Sequence, residues 1–509
     1  PARDMKPIKS SGTRPWLLMT GWKPNRCWHG KWTMSLIPWT IEDITDATDG
    51  DVVSAGYRTD FSGVGIDSRD IAGNDIFAAI VGPRHDGHDF LQQVLDAGVS
   101  CIICCRDRLG GLPVADWKRQ GVACIAVDDT IRALGDMAAY QRRRAQISVV
   151  AVTGSNGKTS TKELIAAVLA RKYKVLSTAG NLNNEIGMPL TLLRLEREHQ
   201  AAVLELGMNH PGEIDRLAAI CRPDVGVITN IAPAHLEGLG SVEGVAAAKA
   251  ELLAHIRSGG TAVLNSDDAY GAWLASRAQS RVVFFGCTDF AGIRAGQVAV
   301  SDDAVTFELI FPEQRAWVKL PVPWRFMVKN ALAAAAVGWI LGVDAGQIAA
   351  GLAEFRPVAG RMVVHRTPAG ANIIDDTYNA NPGSMENAIR SLAALGSGKQ
   401  GILVAGDMLE LGDDAARHHE EIGRMAADAR ISRLYLTGDF AARVAYGARQ
   451  GGMKGGDIFV GTKHDIVRDL VRDLNEGDWV LIKGSRSTGM DEIVCDLTRE
   501  PAPGPDSGE

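Results

Sequence analysis

Residues 147–169 pass from a continuous apolar run, ISVVAVTG, through the turn SNGK into TSTKELIAAVL, whose apolar side chains recur at 164, 165, 168 and 169. An apolar strand, a glycine turn and an amphipathic helix in immediate succession restrict the fold more than any other feature of the chain. They form a βα unit of a parallel sheet, with backbone N–H groups gathered at a helix N-terminus where an anion can sit. The usual phosphate loop reads Gly, four residues, Gly, Lys, Ser or Thr. Gly157, Lys158 and Thr159 fit, but Val152 stands where the first glycine belongs and Gly154 comes two residues later. The loop is therefore a short variant. Lys158 is placed to reach β- and γ-phosphates and Thr159 to offer its hydroxyl to Mg²⁺.

The alternation continues on both sides. AAVLELG, VGVITNI, GTAVLN and RVVFFG read as strands, and KNALAAAAVGWILG and DAGQIAAGLAEF as helices, which predicts a mostly parallel sheet. After RPVAGRM the pattern restarts with NIIDDTY, GILVAGD, RLYLTG, DIFV and DWVLIKG. Upstream, DIFAAIVG and SCIICCR read as strands, HDFLQQVLDAG as a helix ending at Gly98, and DDTIRALGDMAAYQRRR as a connecting helix. At about 150 residues per domain, 509 residues predict about three domains. The expected boundaries are 34–130, 146–355 and 356–500. Residues 1–33 are basic, hold Trp16, Trp22, Trp28 and Trp32, and read as a disordered extension without chemistry ahead of a candidate start at Met34. The Pro-, Gly- and acid-rich residues 501–509 read as a disordered tail.

A net charge of -7 exerts no global pull on nucleic acid, and no apolar run reaches the roughly 18 residues of a membrane helix. Eight scattered cysteines do not suggest a disulfide scaffold. Cys101, Cys104 and Cys105 read as buried strand residues, and reduced thiols fit the cytoplasm.

Candidate chemistry gathers at strand ends. Glu205 closes one strand at the edge where open parallel sheets bind ligands. It is either a solvated carboxylate or one of the one or two carboxylates that commonly hold Mg²⁺ with phosphate oxygens. His235 lies just beyond the next strand, and Lys249 lies on an apolar helix face, where a snorkelling lysine is the plainer alternative. His85 and His88 suit a turn and helix cap better than a metal, and RHHEEIG at 417–423 is expected on a solvated helix face. DDTYNANPGSMENA is a polar loop following a strand, a position that often carries function.

Taken together, these stretches resemble the Mur ligase family from 34 to 500. The family's short loop reads Gly-Thr/Ser-Asn-Gly-Lys-Thr/Ser, which residues 154–159 fit. GIDSRDIAGNDIFAAIVGPRHDGHDF, ELGMNHPGEI, NIAPAHLEGLGS, AAAKAEL, AGDMLELG and KGSRSTGMDEIV resemble the family in order, and NNEIGMPLT with DDTYNANPGSM favours its dipeptide-adding branch. The implied fold is α/β in three domains. These are a small α/β UDP-binding domain, a central P-loop parallel-sheet ATPase domain and a C-terminal Rossmann-like domain. The implied activity is ATP-dependent, ADP-forming amide ligation in peptidoglycan precursor synthesis. It joins D-Ala-D-Ala to UDP-MurNAc-tripeptide through an acyl phosphate, with ATP and two Mg²⁺ ions, in a cytoplasmic monomer that has no nucleic-acid partner and no membrane span.

The resemblance also implies roles. Gly154, Ser155, Asn156, Gly157, Lys158, Thr159 and Ser160 bind ATP, with Asn330, Arg361, Asp376 and Asp407. Thr159, Glu205, His235 and a carbamylated Lys249 serve the metals, and Lys158, His235, Lys249 and Lys483 serve catalysis. Ser68 and Arg69 match the uridine-nucleotide site, and Asn184, Tyr378, Asn379 and Ser485 match substrate positions. One departure stands out: PWRFMVKN puts Trp324, Phe326 and Met327 where the family has Gly, His and Asn. Two alternatives accompany this reading, a folylpolyglutamate-synthetase-like ligase and a catalytically silent nucleotide-dependent binding module.

Overall fold

The computed structural model describes residues 37–499, apart from 72, 74, 83 and 396–399. The expectations for 1–33 and 501–509 lie outside the described residues.

The apolar strand Ser148–Thr153 runs in the interior of a nine-stranded sheet, flanked in parallel by Ala201–Glu205 and Val225–Ile228. Val149, Val150, Ala151 and Val152 are fully buried, as a strand covered on both faces requires. Chain connections leave this strand toward both neighbours, so the crevice at its C-terminal end is the topological switch point of the sheet. The helix Lys158–Leu169 starts there, and its Leu164, Ile165, Val168 and Leu169 are fully buried. Gly157 caps it at φ 77° and Gly154 lies at φ 148°. A Cβ at Gly154 would stand 1.9 Å from Thr229 Oγ1, and one at Gly157 2.7 Å from Asn330 Oδ1, so only glycine fits at either position.

The far edge of this sheet departs from the expectation. Ile293–Val300, Val305–Ile310 and Arg315–Leu320 extend it, the last two pairing antiparallel. Val305–Ile310 alternates between buried and half-buried side chains, the period of a strand with one covered face.

On the N-terminal side, Cys101–Cys105 lies in a five-stranded sheet, all five residues buried. His88 is structural here: Nδ1 meets Asp86 Oδ1 at 2.6 Å and Nε2 accepts the Cys105 N–H at 2.9 Å. The connecting helix Thr130–Arg144 is capped by Asp129, whose side chain accepts from Ile131 N and Arg132 N. Buried Arg142 ties the helix to the central unit, donating to Cys221 O at 3.0 Å and Asp224 Oδ2 at 2.9 Å.

The third sheet has six strands, with Trp479–Lys483 between Asn372–Asp376 and Gly401–Ala405, all parallel, and Val363–Arg366 antiparallel at one edge. Its register sets Asp376 directly beside Lys483. Against expectation, His418 and His419 on the helix Ala415–Asp428 are buried. His419 stacks on Phe440, with ring centroids 4.4 Å apart, because the helix Ala441–Gln450 packs over that face. Among the described residues no helix is long and apolar enough to cross a membrane.

Candidate active site

The short glycine loop is clamped to the exit of the strand Val225–Ile228. Thr229 Oγ1 and Asn230 Nδ2 donate to Asn156 O at 2.7 and 2.9 Å, and Asn230 Oδ1 accepts the Asn156 N–H at 3.0 Å. Ser155 Oγ donates to Ala232 O and accepts the Ala232 N–H, both at 2.9 Å. Lys158 folds back on the loop, Nζ donating to Gly154 O at 2.9 Å. Burial pulls the Lys158 ammonium below its ordinary value; the Glu205 carboxylate opposes this and Arg361 adds to it.

The loop opens into a cavity of about 1390 Å³. That exceeds the roughly 300–1,000 Å³ of a single small-molecule site, leaving room for more than one ligand. Ser155, Asn156, Gly157, Lys158, Thr159, Ser160, Asn184, Glu205, His235 and Asn330 line it from the central unit, and Arg361, Asp376, Tyr378, Asn379 and Lys483 from the C-terminal one. Residues read at separate strand ends thus share one chamber.

Glu205 is buried at its strand end. Its Oε1 accepts from Asn183 Nδ2 at 2.8 Å, while its Oε2 is buried with no hydrogen-bond partner among the described residues. Asn184, expected at the substrate, lines the chamber, and its Oδ1 accepts the Gly187 N–H at 2.9 Å in the turn that leads into the helix Gly187–Leu193. Asn183, which holds Glu205, was missed, although the paired asparagines of NNEIG marked the spot. His235 has φ 53°, and its Nδ1 meets Glu410 Oε2 at 2.6 Å. The hydrogen bond from His235 holds the Glu410 carboxyl below its ordinary value.

Lys249, on the helix Val242–Ala254, is buried behind the chamber and does not line it. Among the described residues it forms no hydrogen bond or ion pair, and burial together with the charge of Lys158 pushes its ammonium well below the usual range. Lys483 Nζ donates to Asp376 Oδ2 at 2.5 Å and to Asn379 O at 2.8 Å. The Arg361 guanidinium lies 4.0 Å from the centre of the Tyr378 ring. Asn330 is buried against Gly157, its Nδ2 donating to Met327 Sδ at 3.3 Å. Trp324 is 2% exposed and its Nε1–H donates to Met362 O at 3.0 Å, so the indole is packed into the chamber wall, which Arg325, Phe326 and Met327 also line.

Asp407, Ser485, Ser68 and Arg69, like Lys249, do not line the chamber. The Asp407 carboxylate accepts the N–H groups of Asp439 and Phe440 at 2.8 and 3.0 Å. Ser485 Oγ accepts the Leu409 N–H at 2.9 Å. Ser68 and Arg69 belong to the N-terminal unit, where Ser68 Oγ is 3.4 Å from Gln93 Oε1 and Arg69 pairs with Asp67 at 2.6 Å.

Known proteins match the chain along most of its length. The Mur ligase family catalytic domain matches residues 60–183, the Mur ligase middle domain 152–338, and the Mur ligase glutamate ligase domain 360–486. UDP-N-acetylmuramoyl-tripeptide--D-alanyl-D-alanine ligase of Bacillus subtilis (strain 168) is 35% identical over 474 residues, 92% of this chain and 100% of that protein. The crystal structure of MurF from Acinetobacter baumannii superposes with a TM-score of 0.83 at 34% identity, covering 92% of this chain and 100% of the other. The MurF ligase from Thermotoga maritima in complex with ADP superposes with a TM-score of 0.75 at 28% identity, covering 86% and 97%. With family domains matched in order from residue 60 to 486 and a relative matched over its whole length, this chain belongs to the Mur ligase family.

Proposed function

We propose that this chain is the ATP-dependent ligase that joins D-alanyl-D-alanine to the terminal carboxylate of a UDP-N-acetylmuramoyl tripeptide, forming the pentapeptide precursor of peptidoglycan. The observation that carries this reading is the single chamber in which the glycine loop, Glu205 and His235 face Arg361, Asp376 and Lys483. The names of its relatives supply the substrates.

A carboxylate is a poor acyl donor because oxide would have to leave. Transfer of the γ-phosphoryl group to it creates an acyl phosphate, which the amine of the dipeptide attacks, releasing phosphate as the amide forms. Phosphoryl transfer is mainly positioning and charge neutralisation. The loop N–H groups of Gly157, Lys158 and Thr159 cradle the phosphates, and Lys158 exchanges its bond to Gly154 O for phosphate oxygens. Arg361, stacked on Tyr378, and Asn330 hold the nucleotide. Lys483, set by Asp376 and the Asn379 carbonyl, sits on the acceptor side. Ser68 and Arg69 hold the uridine nucleotide on the N-terminal unit.

The residues present fit Mg²⁺. The buried Glu205 Oε2, without a hydrogen-bond partner among the described residues, is an acceptor that a cation would satisfy, Thr159 lies at the start of the loop helix, and His235 lines the same chamber. Among the described residues no three His, Cys, Asp or Glu converge as a metal cluster. Mg²⁺ bound through one or two protein groups plus phosphate oxygens and water has no need of one. When bound, the ions neutralise phosphate charge; Thr159 and Glu205 hold one, and His235 helps hold a second. Burial and the charge of Lys158 push the Lys249 ammonium toward the neutral amine, the form that reacts with carbon dioxide, and a carbamate there would replace positive charge with negative. The reading takes the enzyme as a monomer of the cytoplasm.

The test is mass spectrometry of products from a panel of UDP-linked peptides with D-Ala-D-Ala, ATP and Mg²⁺. The expected product is a UDP-linked tripeptide extended by one dipeptide, with ADP released only when both acceptors are present. ADP release indifferent to the acceptors, or another amide product, overturns the reading.

A further inference from the structure

His235 and Glu410 come from different sheets and meet in the same unusual state. Both are non-glycine residues in the left-handed region, at φ 53° and φ 62°, a conformation that side chains keep only where their surroundings hold them. His235 Nδ1 lies 2.6 Å from Glu410 Oε2, and the Glu237 N–H donates to Glu410 O at 3.2 Å. An ionised carboxylate can only accept, so the hydrogen in this contact sits on Nδ1. In the neutral ring, Nε2 then carries the lone pair, the form of imidazole that binds a metal. His235 lines the chamber and Glu410 does not.

The segment that presents Glu410 is prebuilt within the C-terminal unit. The Gly406 N–H donates to Lys483 O, the Met408 N–H to His419 Nε2 and the Leu409 N–H to Ser485 Oγ, each at 2.9 Å. Three anchors precede Glu410, and its own side chain is handed to the central unit.

We propose that Glu410 is a positioning residue that reaches in from the C-terminal unit, fixes the tautomer and aim of His235, and so makes the metal-binding form of His235 depend on the two units being docked. This rests on the reading of His235 as a Mg²⁺ ligand given above. Carboxylates placed behind metal-binding histidines typically change metal affinity by roughly 10- to 100-fold.

The test is calorimetric titration of a non-hydrolysable ATP analogue into the whole protein, in EDTA and across a Mg²⁺ series. Glu410→Ala removes the acceptor; Glu410→Gln keeps the length and an acceptor oxygen without the charge. The expected result is that the Mg²⁺ concentration for half-maximal tightening rises roughly 10-fold or more in Glu410→Ala and less in Glu410→Gln, with binding in EDTA unchanged. In a His235→Asn background the requirement is already raised and Glu410→Ala adds nothing, because Glu410 acts through His235.

The proposal is overturned if His235→Asn raises the Mg²⁺ requirement while Glu410→Ala does not. It is equally overturned if Glu410→Ala weakens binding by the same factor in both backgrounds, as the loss of a plain docking contact would. If His235→Asn itself leaves the requirement untouched, the metal reading of His235 fails and this inference fails with it. Should Glu410→Ala melt early, the Glu410→Gln comparison carries the test.

Discussion

Asn381 Nδ2 donates to Asn156 Oδ1 at 2.8 Å, joining residues 225 positions apart. Asn156 spends its backbone on the central unit, through Thr229 and Asn230, and its side chain on the C-terminal one. The phosphate loop itself is thereby one of the points on which the C-terminal unit docks. One neutral hydrogen bond is worth about 1 kcal/mol net, so Asn156→Ala should lower kcat/KM for ATP about fivefold in steady-state kinetics. A loss above about 100-fold, some 2.7 kcal/mol, would mean that Asn156 touches the reacting groups.

Lys158→Ala should reduce turnover by at least about 10³-fold, since losing a key transition-state charge costs roughly 3–4 kcal/mol. Binding of the UDP-linked tripeptide, measured by calorimetry, should persist because that nucleotide is assigned to the N-terminal unit. Near-normal turnover would show that the loop does not hold the phosphates.

Lys249 sits buried with Lys158 as its charged neighbour. Lys249→Ala should be nearly inactive, and acetate should partly restore it by standing in for the carbamate. Rescue should require Mg²⁺ and be absent in Lys158→Ala. An experimental map of an enzyme verified as active, showing a bare ammonium at Lys249, would sink the carbamate.

Trp324 is tested through stability. Trp324→Phe leaves the Met362 carbonyl without its donor and should cost about 1–3 kcal/mol, while Trp324→Ala should cost about 3–5 kcal/mol. Both are read from urea midpoints, with the KM for ATP little changed. A large rise in KM at unchanged stability would make the indole a nucleotide contact after all.

Burial holds His419 below the usual histidine value of 6.5. The unfolded chain therefore takes the proton first, so the stability His419 contributes is in place above about pH 6.5 and is lost as pH falls below it. The melting-temperature gap between wild type and His419→Gln should narrow as pH drops from about 7.5 to about 5.5. A gap constant across that range would show that the protonation of His419 is not linked to folding.

What could be read from the chain was what local geometry controls. A continuous apolar run, two glycines and a 3.6-residue period specify a strand, a turn and a helix whose end must hold anions. Strand ends in a parallel sheet face one edge, which is why Lys158, Thr159, Glu205 and His235, each read separately, line the same chamber. Glu205 at the close of Ala201–Glu205 follows from strand length alone.

Tertiary structure decided everything that depends on which surface covers which. His418 and His419 looked solvated because a helix's periodicity shows that it has two faces and not whether a second helix lies on the polar one. Trp324 stands where the family pattern has glycine, and only the fold supplies the indole's partner, the Met362 carbonyl 38 residues on. Asp407 and Ser485 stand in motifs that resemble a binding site, yet the packing of their own unit uses them on backbone N–H groups. Asn183 rather than its neighbour Asn184 meets Glu205, a choice made by the turn's direction. Glu410 and Asn381 reach partners 175 and 225 residues away, and no local pattern records contacts that exist only because two independently built sheets dock.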